Sequence, residues 1–123
     1  MSQHFHLPIY NAAFEFLKEL YMRVPKFAKP YKYFLGGRLI EYNVDIIRLI
    51  IEANNHRDMS DRVAKLEKLS EKIEILILHC RIADELQQWG NQKGYLFLVE
   101  KLVDLSNQAE GWRKASQSFQ SVD

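Results

Sequence analysis

Residues 25–53 read PKFAKPYKYFLGGRLIEYNVDIIRLIIEA, and the change of character inside this stretch decides the fold class. Its first half is basic and aromatic. No acidic residue stands between Glu19 and Glu41, whereas Arg23, Lys26, Lys29, Lys32 and Arg38 all do. Its second half carries Leu39, Ile40, Val44, Ile46, Ile47, Leu49, Ile50 and Ile51. These cover much of the circumference of a helix and predict burial on more than one side. Pro30 suits the opening of this helix, and the pattern carries it to about Asn54. Gly36-Gly37 near its start conflicts with helix propensity, at about 1 kcal/mol per glycine. Either the regular helix begins only near Arg38, or the two missing side chains let another backbone or a ligand come close.

On the N-terminal side, Ile9, Ala13, Phe16, Leu17, Leu20 and Val24 recur at three- and four-residue steps. That is one face of an amphipathic helix, opened by Pro8 and ended by Pro25. Residues 1–7 read as a short arm. On the C-terminal side, Asn54 to Asp58 form a turn, with Asp58 or Ser60 as helix N-cap. A third helix is predicted over about residues 60–88, where Leu66, Leu69, Ile73, Leu76, Cys80 and Ala83 make a heptad seam stopped by Gly90 and Asn91. A fourth runs from about Gln92 to near Ser116 on a stripe of Tyr95, Leu98, Leu102, Leu105, Ala109 and Trp112. Residues 116–123 read as a fraying tail. Nothing alternates with a period of two, so no sheet is expected. The reading is one all-α domain over residues 8–115, an up-down-up-down four-helix bundle.

The 123 residues fit one domain, and 47% hydrophobic content supplies a core. The formal charge of +1 makes whole-protein attraction to nucleic acid weak, so any such binding depends on where the charges sit. Cys80 is the single cysteine, which rules out an intrachain disulfide and suits a reducing cytoplasm. The N-terminus lacks the basic-then-apolar pattern of a signal peptide. No apolar run approaches the roughly 20 residues of a spanning helix. The expectation is therefore a cytoplasmic protein without a membrane partner.

Reaction chemistry finds little support. Di-iron bundles carry Glu and His three apart on paired helices, and no Glu here has a His three residues later. Glu52 and His56 are four apart, with His56 in a polar turn. His4 and His6 make two metal ligands without a third. His79 and Cys80 are adjacent, so on a helix they diverge by about 100° and cannot pair as base and nucleophile. Phosphate-loop, dinucleotide and nucleophile-elbow motifs are all missing. The expectation is a protein without catalytic residues, metal or cofactor.

Two surface signals remain. Arg23, Lys26, Lys29, Lys32 and Arg38 suit phosphates, with Phe27, Tyr31, Tyr33 and Phe34 as stacking partners for bases. The competing reading makes the aromatics core residues and the lysines solvated. On the third helix, Lys65, Lys68 and Lys72 lie on one flank of the seam and Glu67, Glu71 and Glu74 on the other. Lys68/Lys72 and Glu67/Glu71 are unfavourable like-charge pairs at i,i+4. An acidic flank meeting the basic flank of another copy is a head-to-tail contact, and such contacts close into a ring when the rotation allows. The competing reading is an ordinary solvated face.

The run Pro25-Lys26, then Lys32-Tyr33-Phe34-Leu35-Gly36-Gly37-Arg38-Leu39, then Ile50-Ile51-Glu52-Ala53, resembles the accessory variability determinant proteins of diversity-generating retroelements. These belong with the four-helix-bundle proteins encoded in intervening sequences of bacterial 23S ribosomal RNA genes. The resemblance continues through Leu66 to Leu86, with Arg81, and to Gly111-Trp112-Arg113-Lys114. The family pattern has a basic-aromatic-Thr-Leu-Gly-Gln-Arg core. Phe34 stands here for its Thr and Gly37 for its Gln. The resemblance implies a five-fold, barrel-like homo-oligomer. It also implies non-catalytic support of a reverse transcriptase, with binding of RNA or DNA, during mutagenic retrohoming. Lys26, Lys29, Lys32 and Arg38 are the leading contact candidates, with Arg23, Arg81, Arg113 and Lys114 beside them. The rival reading is a helical oligomeric scaffold that binds a protein partner and no nucleic acid.

Overall fold

A computed structural model of the chain describes residues 6–122. The apolar stripes fold into an all-α bundle of four helices. Helix α1 spans Pro8–Arg23, and a single 3₁₀ turn, Val24–Lys26, carries the chain out of it. Pro25 sits inside that tighter turn, so the helix contracts before it ends. Leu7, the last residue of the expected arm, is extended and packs against the core.

Helix α2 is one continuous rod over residues 29–55, built from Lys29–Tyr31, a wide π turn Lys32–Gly36, and Gly37–Asn55. The glycine conflict resolves differently at its two positions. Both are helical, with φ −60° at each, so the regular helix does not wait for Arg38. A Cβ on Gly36 would overlap Val24 Cγ1 and lie 3.5 Å from Phe27 Cδ2. What comes close there is therefore the side-chain packing of the α1 exit, not another backbone. A Cβ on Gly37 would meet nothing.

Leu39, Ile46, Ile50 and Ala53 of α2 are buried on one face, with Ile40, Ile47 and Leu49 packed at the edge of the core, while Val44 and Ile51 are only half-buried, so burial is narrower than the apolar run suggests. Asn43 is also fully buried. Its Nδ2 donates to the Ala13 carbonyl at 3.0 Å and ties α2 to α1. Its Oδ1 has no partner among the described residues.

Helix α3 spans Met59–Glu85 and α4 spans Gln92–Val122. Asp58 caps α3, accepting from the Ser60 N–H at 2.8 Å. Gly90 does not stop α3. The helix closes earlier, through bonds from Gln88 N–H to Ala83 O and from Gln87 N–H to Asp84 O, the Schellman arrangement. Gln87 takes the left-handed position there, with φ 59°. The last helix also outruns its expected end near Ser116. Helix α4 continues through Val122, and Ser116 is buried. Ser116 extends the stripe of Ala109 and Trp112 by one more four-residue step. Arg113 clamps that turn by bonding Glu110 and Gln117.

Around the bundle, α1 lies against α2 and α4, and α3 lies against α2 and α4. The core is mostly aliphatic, with Leu39, Ile46, Leu66, Leu69, Ile73, Leu98 and Leu102 almost wholly out of solvent beside Phe16. No described helix is long and apolar enough to cross a membrane.

Candidate functional site

The α1–α2 connection and the α3–α4 connection meet at one end of the bundle. Phe27 and Trp89 pack edge to face with ring centroids 5.1 Å apart. The Trp89 indole N–H donates to the Cys80 carbonyl at 2.9 Å. The Ala28 N–H donates to Gln88 Oε1 at 2.8 Å, and Gln88 Nε2 donates to the Leu86 carbonyl at 2.7 Å. These contacts bind two chain reversals into one rigid floor, with a cleft of about 390 Å³ between Arg23, Lys26, Gln88 and Gly90.

The basic-aromatic segment rises from this floor, and the structure divides its residues. Phe27 is buried and Tyr31 packs against the core, so for these two the core reading holds. Tyr33 and Phe34 are the opposite, at 74% and 81% exposed. Both belong to the π turn, whose extra residue per turn lets Leu35 and Gly36 face the α1 exit while their neighbours stand out.

The cations divide too. Arg23 is half-buried, bonded to Glu19 at 3.0 Å and set 5.5 Å from the Phe97 ring centroid. Its charge is largely used within the bundle. Lys26, Lys29 and Arg38 are exposed and Lys32 is half-buried. None of these four has an ion-pair partner among the described residues.

Arg81 is exposed near the C-terminal end of α3, with Glu85 at 3.7 Å. Arg113 and Lys114 are not brought to this end. They lie roughly 30 Å along α4 from its start at Gln92, at a rise of about 1.5 Å per residue. Arg113 is engaged by Glu110, with Nε–Oε2 2.9 Å and Nη2–Oε1 2.8 Å. That hydrogen-bonded pairing holds the Glu110 carboxyl below its ordinary range and raises the guanidinium. Lys114 is exposed.

The charged flanks of α3 also fare unequally. Lys65 bonds Glu52 at 2.8 Å and Lys72 bonds Asp45 at 3.3 Å, both reaching across to α2. Lys72 also lies 5.4 Å from the Tyr42 ring centroid. Two lysines of the basic flank are therefore neutralised inside the protomer, while Lys68 has no ion-pair partner among the described residues. The hydrogen bond from Lys65 lowers the Glu52 carboxyl from its usual value. The acidic flank stays open. Glu67, Glu71 and Glu74 line a groove of about 490 Å³ between α3 and α4, with Glu110 and Arg113 opposite.

Ile75, Leu78 and Ile82 of α3, with Leu86 at its C-cap, form a second, exposed apolar stripe. Sequence reading passed over it, although the steps of three and four are legible beside the heptad seam. His79 and Cys80 diverge as adjacency requires. His79 Nδ1 lies 2.9 Å from the Ile75 carbonyl and its ring meets Tyr42 edge to face. Burial pushes the Cys80 thiol up to about 12. Among the described residues no three His, Cys, Asp or Glu side chains gather to hold a metal. His4 of the His-x-His pair lies outside the described residues. No protein-family model matches this chain, and no curated protein sequence matches it.

Proposed function

We propose that this protein is a non-catalytic accessory protein that docks a polyanion on the loop end of its bundle. In its specific form, drawn from the resemblance of the Lys32–Leu39 segment, it is the accessory variability determinant of a diversity-generating retroelement. It would serve a reverse transcriptase and its nucleic acid during mutagenic retrohoming. The observation that carries the reading is that Lys26, Lys29, Lys32 and Arg38, without ion-pair partners among the described residues, flank the exposed Tyr33 and Phe34 along the chain, with no acidic residue between Glu19 and Glu41. Placed charge substitutes here for the net charge that the chain lacks.

Engaging four phosphates releases counterions. Raising salt from about 50 to 200 mM then weakens binding by about 50- to 150-fold, single strands at the lower end. Titration of labelled RNA and DNA across that range tests the proposal. Simultaneous replacement of Lys26, Lys29, Lys32 and Arg38 by Ala is expected to flatten the salt response while the bundle stays folded, since three of the four are exposed, none has an ion-pair partner among the described residues, and surface changes cost little stability. Binding that ignores salt, or survives the quadruple change, overturns the reading. The same proposal includes a cyclic homo-oligomer, a pentamer by the resemblance. Its acidic groove at Glu67, Glu71 and Glu74 is a candidate contact, since Lys65 and Lys72 are occupied within the protomer. A monomer mass in solution at micromolar concentration removes that part.

The exposed stripe Ile75, Leu78, Ile82 and Leu86 favours a second reading, a helical scaffold that binds a protein partner. A complex that survives both nuclease and salt, and dissolves on Leu78→Asp, would point there instead.

A further inference from the structure

We infer that the π turn of α2 is a stacking platform for single-stranded nucleic acid, on which Tyr33 and Phe34 take unpaired bases while Lys29, Lys32 and Arg38 hold the flanking phosphates. The inference rests on the polyanion reading above and narrows it to one ligand class.

The bundle has no structural use for these two rings. At 74% and 81% exposed they are the two most exposed of the large hydrophobic side chains described, and neither meets another aromatic ring there. Each has a cation one turn away. Lys29 precedes Tyr33 by four residues, and Arg38 follows Phe34 by four, the spacing that puts side chains on one helical face. A base laid on either ring therefore has a phosphate partner within reach. Sequence-tolerant single-strand binders combine these two elements, because every base has a π face and every nucleotide a charge.

Gly37 is the independent observation. It follows Tyr33 by four residues, in the open helical rod, and a Cβ there would meet nothing. Its neighbour Gly36 is required by Val24, but no packing among the described residues explains Gly37. A glycine that weakens its helix without a packing reason leaves bare backbone beside an exposed ring, which is room for a flat ligand.

The same geometry selects among ligands. Duplex bases are already stacked and cannot lie on Tyr33 or Phe34, so a duplex meets only the cations. Apart from the Tyr33 hydroxyl, the hydrogen-bonding side chains of the patch are the cations Lys29, Lys32 and Arg38, which suit phosphates. An anionic bilayer would also attract these lysines, but it rewards a continuous apolar helix face. Helix α2 turns that face inward to the core.

The test uses the full chain and a labelled 20-nucleotide mixed-sequence single strand, its duplex, and vesicles containing phosphatidylserine, at about 100 mM salt. The single strand is expected to bind at least tenfold tighter than the duplex. Replacing Tyr33 and Phe34 together by Ala is expected to cost at least tenfold on the single strand and less than twofold on the duplex, with helical content unchanged. Tyr33→Phe is expected to bind as the parent does. Gly37→Ala is expected to raise the melting temperature and still weaken the single strand, a combination that a purely structural glycine would not produce. Salt-sensitive binding with equal affinity for both strand forms, or indifferent to the loss of both rings, overturns the stacking platform and leaves the polyanion reading standing. Tighter binding to vesicles than to the single strand also overturns it. No salt-sensitive binding to any nucleic acid overturns both.

Discussion

Gly36 and Gly37 offer a controlled experiment inside one helix. Their backbones are nearly superimposable, with φ −60° and ψ −43° at Gly36 and φ −60° and ψ −40° at Gly37. Replacing either with Ala gains the same helix propensity, about 1 kcal/mol. Only the surroundings differ. The new methyl at residue 37 enters open space, whereas at residue 36 it overlaps Val24 Cγ1 and touches Phe27. Val24 cannot step aside cheaply. It is β-branched, 5% exposed, and followed by Pro25 in a tight turn. Overpacking of that kind costs about 1–3 kcal/mol. Gly37→Ala is therefore expected to stabilise by about 1 kcal/mol. Gly36→Ala should fall below it by about 1–3 kcal/mol, between neutral and clearly destabilising. Urea titration of both variants reads the difference directly as a shift in midpoint at constant slope. The Val24→Ala background should shrink the gap, since the clashing methyl is gone, and the non-additivity of the double change measures the contact. Two variants equal within about 0.5 kcal/mol, close to the tolerance for independent sites, would refute the claim that the α1 exit is packed against the Gly36 backbone.

Three further outcomes follow from the same contacts. Burial holds the Cys80 thiol up at about 12, so the native protein should resist a thiol reagent at pH 8 and react only once denatured. The Glu52 carboxyl is held down by Lys65, so the pair adds stability above the ordinary carboxylate pKa and loses it as pH falls through the lowered value. With the partners 30% and 39% exposed, the effect is about 0–1 kcal/mol. Comparing the chain with Glu52→Gln by thermal melts should show the gap closing as pH falls from the ordinary carboxylate range through the lowered Glu52 value, and shrinking in high salt. Finally, Gln87 sits at φ 59° in the closing turn of α3, where left-handed backbone costs a side-chain-bearing residue about 1–2 kcal/mol. Gln87→Gly should recover up to about 1 kcal/mol, read as a higher urea midpoint.

Much of the architecture was legible along the chain. The three- and four-residue steps of Ile9 to Val24, Leu66 to Ala83 and Tyr95 to Trp112 mark helix faces, because a 3.6-residue period is a local property of the backbone. The cap was legible locally as Asp58 or Ser60, and Asp58 takes the position. The end of α3 was misjudged because Gly90 is the better left-handed residue, yet the chain places Gln87 there. The far end of α4 was misjudged because a serine at residue 116 does not look like a core residue until something packs over it. The candidate surface was legible only as a segment. The run from Arg23 to Arg38 showed that charge and rings coincide, but not which of them reach solvent.

By itself the sequence determined the helices, their order and the coincidence of cations with aromatics, all of which depend on neighbours a few residues apart. Only the tertiary structure decided that Phe27 is claimed by Trp89 while Tyr33 and Phe34 are left outside. It also decided that Lys65 and Lys72 are neutralised across α2 while Lys26, Lys29, Lys32 and Arg38 have no ion-pair partner among the described residues, and that Gly36 is filled space while Gly37 is open. Each of those outcomes depends on a partner distant in the chain. No local rule can say which residue a ring, a lysine or an absent methyl will face.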